Sequence, residues 1–169
     1  MNNIILCGFM GCGKSTVGRT VARKMGRRFL DMDRYIETKA GKTIPEIFDE
    51  VGEEGFRDLE HEACAELAQM SNIIIASGGG AFTFDRNVEV FRGVDKIVLL
   101  DVPLDVIKRR LRNDTHRPLL QRPDKDRVME KLYNQRLPKY HSAADIVIKG
   151  GSTPLKTAQV IINALKLKK

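Results

Sequence analysis

The sequence lacks an apolar run long enough to cross a bilayer and lacks the charged-then-apolar start of a signal peptide. We therefore expect a cytoplasmic protein without a membrane partner. Cysteines are few, and Cys7, Cys12 and Cys64 can neither all pair nor form a CxxC motif. This pattern favours reduced, structural thiols over a disulfide framework or a zinc site.

Aromatic residues are scarce, at 6% of the chain, whereas the formal net charge is +7. A basic chain can bind nucleic acid, or it can attract small anions such as ATP and a carboxylate substrate. The arginines from Arg57 to Arg136 are spread out and form no dense tract with interleaved aromatics. We therefore favour small anions and expect no nucleic-acid partner.

The chain of 169 residues is long enough for one domain and too short for two ordinary ones, and 42% of it is hydrophobic. Apolar runs of Ile, Val and Leu alternate with helical patterns, as is typical of a parallel sheet covered on both faces. We predict a single α/β domain over residues 1–169. The predicted strands are 4–7, 29–30, 73–76, 97–100 and 146–148, and the predicted helices are 15–25, 44–50, 53–70, 103–112, 124–140 and 154–166.

Residues 8–15 read Gly-Phe-Met-Gly-Cys-Gly-Lys-Ser, between the first strand and the first helix. Such glycines let backbone N–H groups converge on a phosphate at a helix N-terminus. Lys14 can then reach the β- and γ-phosphates, and the Ser15 hydroxyl can ligate Mg²⁺. The pattern in this context favours a P-loop enzyme that uses ATP and Mg²⁺ over a chance glycine-rich turn. The predicted nucleotide contacts here are Gly11, Cys12, Gly13, Lys14, Ser15 and Thr16.

Two places offer the acidic group that such an enzyme needs near its metal. Asp101 ends an apolar strand, but a helix with Pro103 in its first turn follows, so we interpret Asp101 as preceding or capping that helix. Asp31 and Asp33 follow the second strand, at the edge where parallel sheets bind ligands. We predict that one of this pair serves Mg²⁺ and the other a substrate hydroxyl. The alternative is a helix start capped by Asp33.

Two further segments suit an anionic ligand, and each has a structural alternative. Arg57 can hold a carboxylate while Glu60 orients it, or the two can form an exposed ion pair on a helix. The glycines at 78–80 can bring backbone N–H groups to a ligand, or can simply make a tight turn.

Two more arginines follow in the second half of the chain. Arg117 lies in a polar stretch with two prolines, residues 112–123, which suits a mobile lid over a site. There it can close onto the transferred phosphoryl group, or be a solvated loop charge. Arg136 can be a second carboxylate clamp or a cation near a helix end, with Pro138 stopping or kinking that helix.

Together and in this order, these motifs resemble the shikimate kinase family over nearly the whole chain. The Asp pair, the Phe-Arg element at 56–57, the triple glycine and the Arg-Pro-Leu run at 117–119 are far more specific than the P-loop alone. The resemblance implies a three-layer α-β-α P-loop NTPase fold with a five-stranded parallel sheet in the order 2-3-1-4-5. It also implies transfer of the ATP γ-phosphate to the 3-hydroxyl of shikimate, in aromatic amino acid biosynthesis, by a monomer.

The resemblance further implies roles for individual residues. A helical region over residues 33–60 would bind shikimate, and residues 112–123 would form the lid. Catalysis would involve Lys14, Asp33 and Arg117; shikimate binding Asp33, Arg57, Gly79, Gly80 and Arg136; metal binding Ser15 and Asp31; and adenine binding Arg110 and Pro154. Ser152-Thr153 precede that proline where some relatives carry a basic residue, so the chain departs from the family pattern on the adenine side.

Two alternatives remain open from the sequence. The first is another small P-loop kinase, acting on gluconate or a nucleoside monophosphate. The second is a non-catalytic module that binds nucleotides or nucleic acid, which the positive charge suggests. That second alternative leaves the Asp pair and Arg117 without a function.

Overall fold

The computed structural model describes residues 2–114 and 122–167. Within them, strands and helices alternate along the chain. The strands are β1 (Ile4–Cys7), β2 (Arg28–Asp31), β3 (Ile73–Ala76), β4 (Lys96–Asp101) and β5 (Ile146–Lys149). The helices are α1 (Lys14–Met25), α2 (Met32–Ala40), α3 (Ile44–Ala68), α4 (Asp85–Phe91), α5 (Leu104–Leu111), α6 (Lys125–Ala143) and α7 (Pro154–Leu167), with a 3₁₀ turn at Ala81–Thr83.

The five strands form one parallel sheet in the order β2-β3-β1-β4-β5, which confirms the predicted order and the α/β P-loop fold. The central strand β1 is buried along its whole length. Its neighbours are in register, with Leu6 beside Ala76 on one side and beside Val98 on the other. The loops after β1, β2 and β3 therefore meet at one edge of the sheet.

The helices agree only in part with the predicted segments. α2 and α4 are not among them, because both are short and give little periodic signal. α3 runs through both predicted helices at 44–50 and 53–70, but Gly52 has φ +69° and ψ −176°, which breaks the helical backbone where the two segments were separated. A left-handed φ of this kind favours glycine.

Two expectations about helix ends are wrong. Pro138 does not stop its helix, because α6 continues to Ala143, and the buried side chains of Tyr140 and Ala143 anchor that last turn. Asp33 does not cap α2; the cap is Asp31, whose carboxylate accepts a hydrogen bond from the Arg34 N–H at 3.4 Å. Asp33 lies in the first turn of α2 instead.

The cysteines behave as structural thiols. Cys7, Cys12 and Cys64 are all free and buried. Burial raises the pKa of the Cys7 and Cys64 thiols to about 12. Among the described residues, no helix is long and apolar enough to span a membrane.

A buried polar cluster joins three strands at the opposite, amino edge of the sheet. The side-chain nitrogen of Asn3 donates to the Met70 carbonyl at 2.9 Å, and the side-chain oxygen of Asn3 accepts from the Ile73 N–H at 3.2 Å. Asp95, which precedes β4, accepts from the Asn3 backbone N–H at 2.6 Å. Both Asn3 and Asp95 are buried, so these bonds replace water for groups that would otherwise lack a partner.

We expect Asn3→Ala to lower the free energy of unfolding by about 3 kcal/mol, since the buried Ile73 N–H and the partly buried Met70 carbonyl lose their partners at about 1–3 kcal/mol each. Urea unfolding followed by circular dichroism measures this. Asn134→Ala, on the exposed face of α6, is the control and should change stability by less than about 0.5 kcal/mol. Equal stabilities of the two variants would contradict the proposed contribution of the cluster.

Candidate active site

A cavity of about 780 Å³ opens at the carboxyl edge of the sheet. It brings together every predicted site residue that the structure describes: Gly11, Cys12, Gly13, Lys14, Ser15, Thr16, Asp31, Asp33, Arg57, Gly79, Gly80, Arg110, Arg136 and Pro154. The remaining one, Arg117, lies outside the described residues, as does most of the predicted lid. Residues far apart in the chain thus line a single space.

The phosphate loop fits closely around the N-terminus of α1. Gly13 caps that helix with φ +98°, and Gly8 has φ +141°. A Cβ atom at Gly8 would lie only 2.8 Å from the Leu100 carbonyl oxygen, so glycine is required there. The helix N-terminus, with its unpaired N–H groups, provides the expected binding geometry for a phosphate.

Two cationic side chains contact the backbone of this loop. Lys14 Nζ donates to the carbonyl oxygens of Gly8 at 2.8 Å and Phe9 at 3.1 Å. Arg110 reaches the loop from α5 and donates to the Cys12 carbonyl at 3.1 Å. Positive charge is therefore concentrated where the loop would hold a phosphate chain.

Ser15 and Asp31 form a hydroxyl–carboxylate pair beside the loop. The Ser15 hydroxyl donates to Asp31 Oδ2 at 2.6 Å. Among residues 2–114 and 122–167, no cluster of three or more His, Cys, Asp or Glu side chains could hold a metal ion by itself. Mg²⁺ commonly uses only one or two protein groups and completes its shell with water and substrate phosphates. The pair fits that ion.

The Asp101 carboxylate contacts side chains that do not line the cavity. It accepts from Lys149 Nζ at 2.6 Å and lies 3.3 Å from His141 Nε2. Although Leu100 and Val102 line the cavity, Asp101 does not. Of the two alternatives for Asp101, it precedes the next helix and does not cap it, because Pro103 occupies the cap position of α5. Its partner Lys149 comes from the neighbouring strand β5, which local sequence does not reveal.

Arg57 and Glu60 form a buried ion pair on α3. Arg57 Nη1 lies 2.6 Å from Glu60 Oε2, and the two side chains are 13% and 1% exposed, respectively. The alternative of an exposed surface pair is therefore wrong. Burial raises the pKa of Glu60 above its ordinary value, and the nearby Arg57 guanidinium only partly offsets this.

The glycine turn after β3 packs directly against these charged groups. A Cβ atom at Gly78 would lie 2.8 Å from Asp33 Oδ1 and 2.9 Å from Glu60 Oε1. A Cβ atom at Gly80 would lie 2.6 Å from Arg57 Nη1. The turn is also tight, since the Ala81 N–H donates to the Gly78 carbonyl at 3.3 Å. Both interpretations of the triple glycine are therefore compatible, because it makes a tight turn and its backbone also lies close to the charged groups of the site.

Arg136 reaches the same turn from α6. Its Nη1 would lie 3.8 Å from a Cβ atom at Gly79. The Tyr140 hydroxyl, one helical turn later, donates to the Gly79 carbonyl. Tyr140 also hydrogen-bonds Arg136, and burial raises the pKa of Tyr140 despite that cation. Tyr140 thus links the arginine to the turn, and the sequence Arg-Leu-Pro-Lys-Tyr at residues 136–140, which places the two side chains one helical turn apart, could have suggested this role.

The sequence reasoning missed other parts of the cavity wall. Ile44, Phe48 and Phe56 supply an apolar wall from α3, which periodicity alone assigns to the core. Ser77 is 5% exposed, and its hydroxyl has no hydrogen-bond partner among the described residues. The same holds for Arg57 Nε. Buried polar atoms without partners are costly, and both residues line the cavity, so these two atoms lie beside the space that a ligand would occupy.

A parallel sheet in this order, a phosphate loop and an adjoining pocket with carboxylates and arginines define a small-molecule kinase of the P-loop class. Comparison with known proteins gives the family. A sequence model described as shikimate kinase matches residues 10–166. A curated shikimate kinase from Burkholderia thailandensis is 44% identical over 149 residues, which is 88% of this chain and 81% of that protein.

Solved structures agree. A shikimate kinase from Acinetobacter baumannii in complex with shikimate superposes with a TM-score of 0.94 at 38% identity, over 100% of this chain and 95% of that one. The shikimate kinase from Aquifex aeolicus gives a TM-score of 0.85 at 34% identity, over 97% and 96%. The chain belongs to the shikimate kinase family, which confirms the predicted class, an ATP-dependent small-molecule kinase.

The raised pKa of Glu60 predicts a pH dependence of stability. Between the ordinary pKa of 4.5 and the raised value, Glu60 is protonated in the folded protein but ionised in the unfolded chain. The folded state then binds more protons, so the free energy of unfolding falls as pH rises through this window. Each unit of pKa separation contributes about 1.4 kcal/mol.

Glu60→Gln removes this titration. We therefore expect the difference in unfolding free energy, wild type minus Glu60→Gln, to decrease as pH rises from about 4 to 7. Urea titrations of both proteins across that range measure it. A difference that stays constant or increases with pH would show that burial does not dominate the pKa of Glu60.

Proposed function

We propose that this protein is a shikimate kinase that transfers the γ-phosphoryl group of ATP to the 3-hydroxyl of shikimate, giving shikimate 3-phosphate and ADP. The observation that carries this proposal is that a single cavity joins the phosphate loop to a glycine turn lined by two carboxylates, Asp33 and Glu60, and by two arginines. A phosphate donor and a hydroxylated acid can occupy these two halves together.

The acceptor half suits a small acid with hydroxyl groups. Arg57 and Arg136 approach the glycine turn from α3 and α6, so two guanidinium groups are available to hold one carboxylate. Asp33 lies beside the same turn, where it would accept hydrogen bonds from hydroxyls and orient the attacking one. Backbone groups of Gly79 and Gly80 would complete the contacts. The solved relative from Acinetobacter baumannii, whose structure contains shikimate, supports this acceptor.

The donor half suits ATP. The phosphate loop would hold the phosphate chain, with Lys14 at the β- and γ-phosphates, while Arg110 and Pro154 would flank the adenine from either side of the cavity. Arg117 would close onto the transferred group as part of a lid over residues 112–123. That role and the lid itself stay predictions from the sequence.

Ser15 and Asp31 would hold Mg²⁺, Ser15 through its hydroxyl and Asp31 through water. Their 2.6 Å contact places an oxygen ligand and a charge next to the loop. When bound, Mg²⁺ neutralises negative charge on the β- and γ-phosphates. The protein's own contribution is positioning and charge stabilisation, since phosphoryl transfer needs little covalent help.

Three groups would divide this work. Asp33 would orient the hydroxyl, Arg57 and Arg136 would fix the acid, and Lys14 would stabilise developing charge. Phe48 and Phe56 on the apolar wall would limit the water that competes as acceptor. The region 33–60 that we assign to shikimate comprises most of α2 and the first part of α3.

ADP release in a coupled assay with shikimate, gluconate and nucleoside monophosphates side by side tests the function. We expect turnover that depends on shikimate and on Mg²⁺. Absence of turnover with shikimate, or faster turnover with another acceptor, would overturn the proposal. A monomeric state, a cytoplasmic location and the absence of nucleic-acid partners stay predictions, the first of which light scattering would test.

Asp31→Asn should weaken the response to Mg²⁺. The loss of a charged group near the ion should raise the Mg²⁺ concentration for half-maximal activity about 10-fold or more. Asp101→Asn is the matched control, because the same change occurs at the end of another strand where Lys149 holds the carboxylate. Its Mg²⁺ dependence should equal that of the wild type. The reverse result would make Asp101 the metal-side group.

Arg136→Ala should raise the KM for shikimate while leaving the KM for ATP nearly unchanged. A lost charge-assisted hydrogen bond is worth about 1.5–3 kcal/mol, which corresponds to a rise of about 10- to 150-fold. Arg127→Ala removes an exposed arginine from the same helix and serves as control. A change confined to the KM for ATP would mean that Arg136 belongs to the donor half.

A further inference from the structure

The Arg57 guanidinium lies between two aromatic rings. Its Cζ is 5.5 Å from the centroid of the Phe56 ring and 5.3 Å from that of the Phe84 ring. Glu60 accepts from one terminal nitrogen at 2.6 Å, and Glu53 accepts from the other at 3.4 Å. Two ring contacts and two carboxylate contacts therefore restrict the position of the guanidinium.

Phe84 differs from Phe56 in its place in the fold. Phe56 is buried and lines the cavity, whereas Phe84 is 37% exposed, is not part of the buried core cluster and does not line the cavity. Its ring therefore does not pack in the core and does not border the space that a substrate would occupy. The Phe84 ring contacts the Arg57 guanidinium.

The backbone holds Phe84 firmly at this point. It caps α4, and its carbonyl accepts from the Asn87 N–H at 3.0 Å. Two contacts then tie α4 to α3, the helix that carries Arg57. Arg86 Nη1 lies 2.9 Å from Asp58 Oδ1, and His61 Nδ1 lies 2.9 Å from Asn87 Oδ1. The contacts between α3 and α4 therefore hold the ring and the guanidinium beside each other.

The electrostatics of this contact stabilise a cation that is placed on the face of the ring. An aromatic ring carries negative charge density on its faces, and the attraction grows as the cation is removed from water. Arg57 is mostly buried and lines the cavity, so its guanidinium can meet a ligand there. A guanidinium fixed before binding loses less freedom when a carboxylate arrives.

We propose that Phe84 is a positioning residue for the acceptor: its ring holds the Arg57 guanidinium in the plane that receives the carboxylate of shikimate. The inference rests on the proposed function, in which Arg57 binds that carboxylate. A partly exposed residue outside the cavity would thus contribute measurably to the affinity for shikimate, and only through its contact with Arg57.

Phe84→Leu and Phe84→Tyr test the proposal, since leucine keeps an apolar side chain without a ring, whereas tyrosine keeps the ring and adds only a hydroxyl. The Kd for shikimate is measured by titration calorimetry, and kcat and KM by the coupled assay. We expect Phe84→Leu to raise Kd and KM about 2- to 5-fold with kcat unchanged, and Phe84→Tyr to match the wild type. Circular dichroism should show both variants folded, because the site is partly exposed.

A double-mutant cycle with Arg57→Ala shows whether Phe84 acts through the arginine. In that background, Phe84→Leu should change the Kd no further. The proposal is overturned if Phe84→Leu binds like the wild type, if Phe84→Tyr is as weak as Phe84→Leu, or if the effect of leucine persists without Arg57. A wild type that neither binds nor phosphorylates shikimate overturns the proposed function as well, whereas an active wild type with an unchanged Phe84→Leu overturns only this inference.

Discussion

The buried ion pair between Arg57 and Glu60 is the interaction on which the acceptor half of the cavity depends. Glu60 is almost fully buried, and such a carboxylate needs a paired cation. That pairing sets Arg57 against Gly80, while the other oxygen of Glu60 faces Gly78 together with Asp33. One ion pair thus helps to set where Arg57, Asp33 and the glycine turn lie relative to one another.

The sheet joins this half to the phosphate loop. Because β3 lies between β2 and β1, the glycine turn after β3 is flanked by Asp31 on one side and by the phosphate loop on the other. Strands about 4.8 Å apart bring the three connections within the span of two small molecules. Ser15 and Asp31 meet across this arrangement at 2.6 Å, and one cavity includes the phosphate loop, the glycine turn and Asp31.

Much of this architecture could be predicted from the sequence, because parallel strands give continuous apolar runs and phosphate loops give a glycine pattern. The break at Gly52 followed in the same way from local sequence. What could not be predicted depends on partners distant in the chain. Asp101 pairs with Lys149 on a neighbouring strand, and the unpaired hydroxyl of Ser77 is evident only once its surroundings are known. Short helices such as α4 give too little periodicity to detect.

The glycine turn also limits how such a site can change during evolution. Every substitution at Gly80 adds at least a Cβ atom, and that atom would lie 2.6 Å from Arg57. Any replacement there therefore requires the Arg57 guanidinium to move from its present position. New acceptor preferences in this scaffold must therefore arise on the helices that face the turn, at positions such as Phe48 on α3, where side chains can be exchanged one at a time.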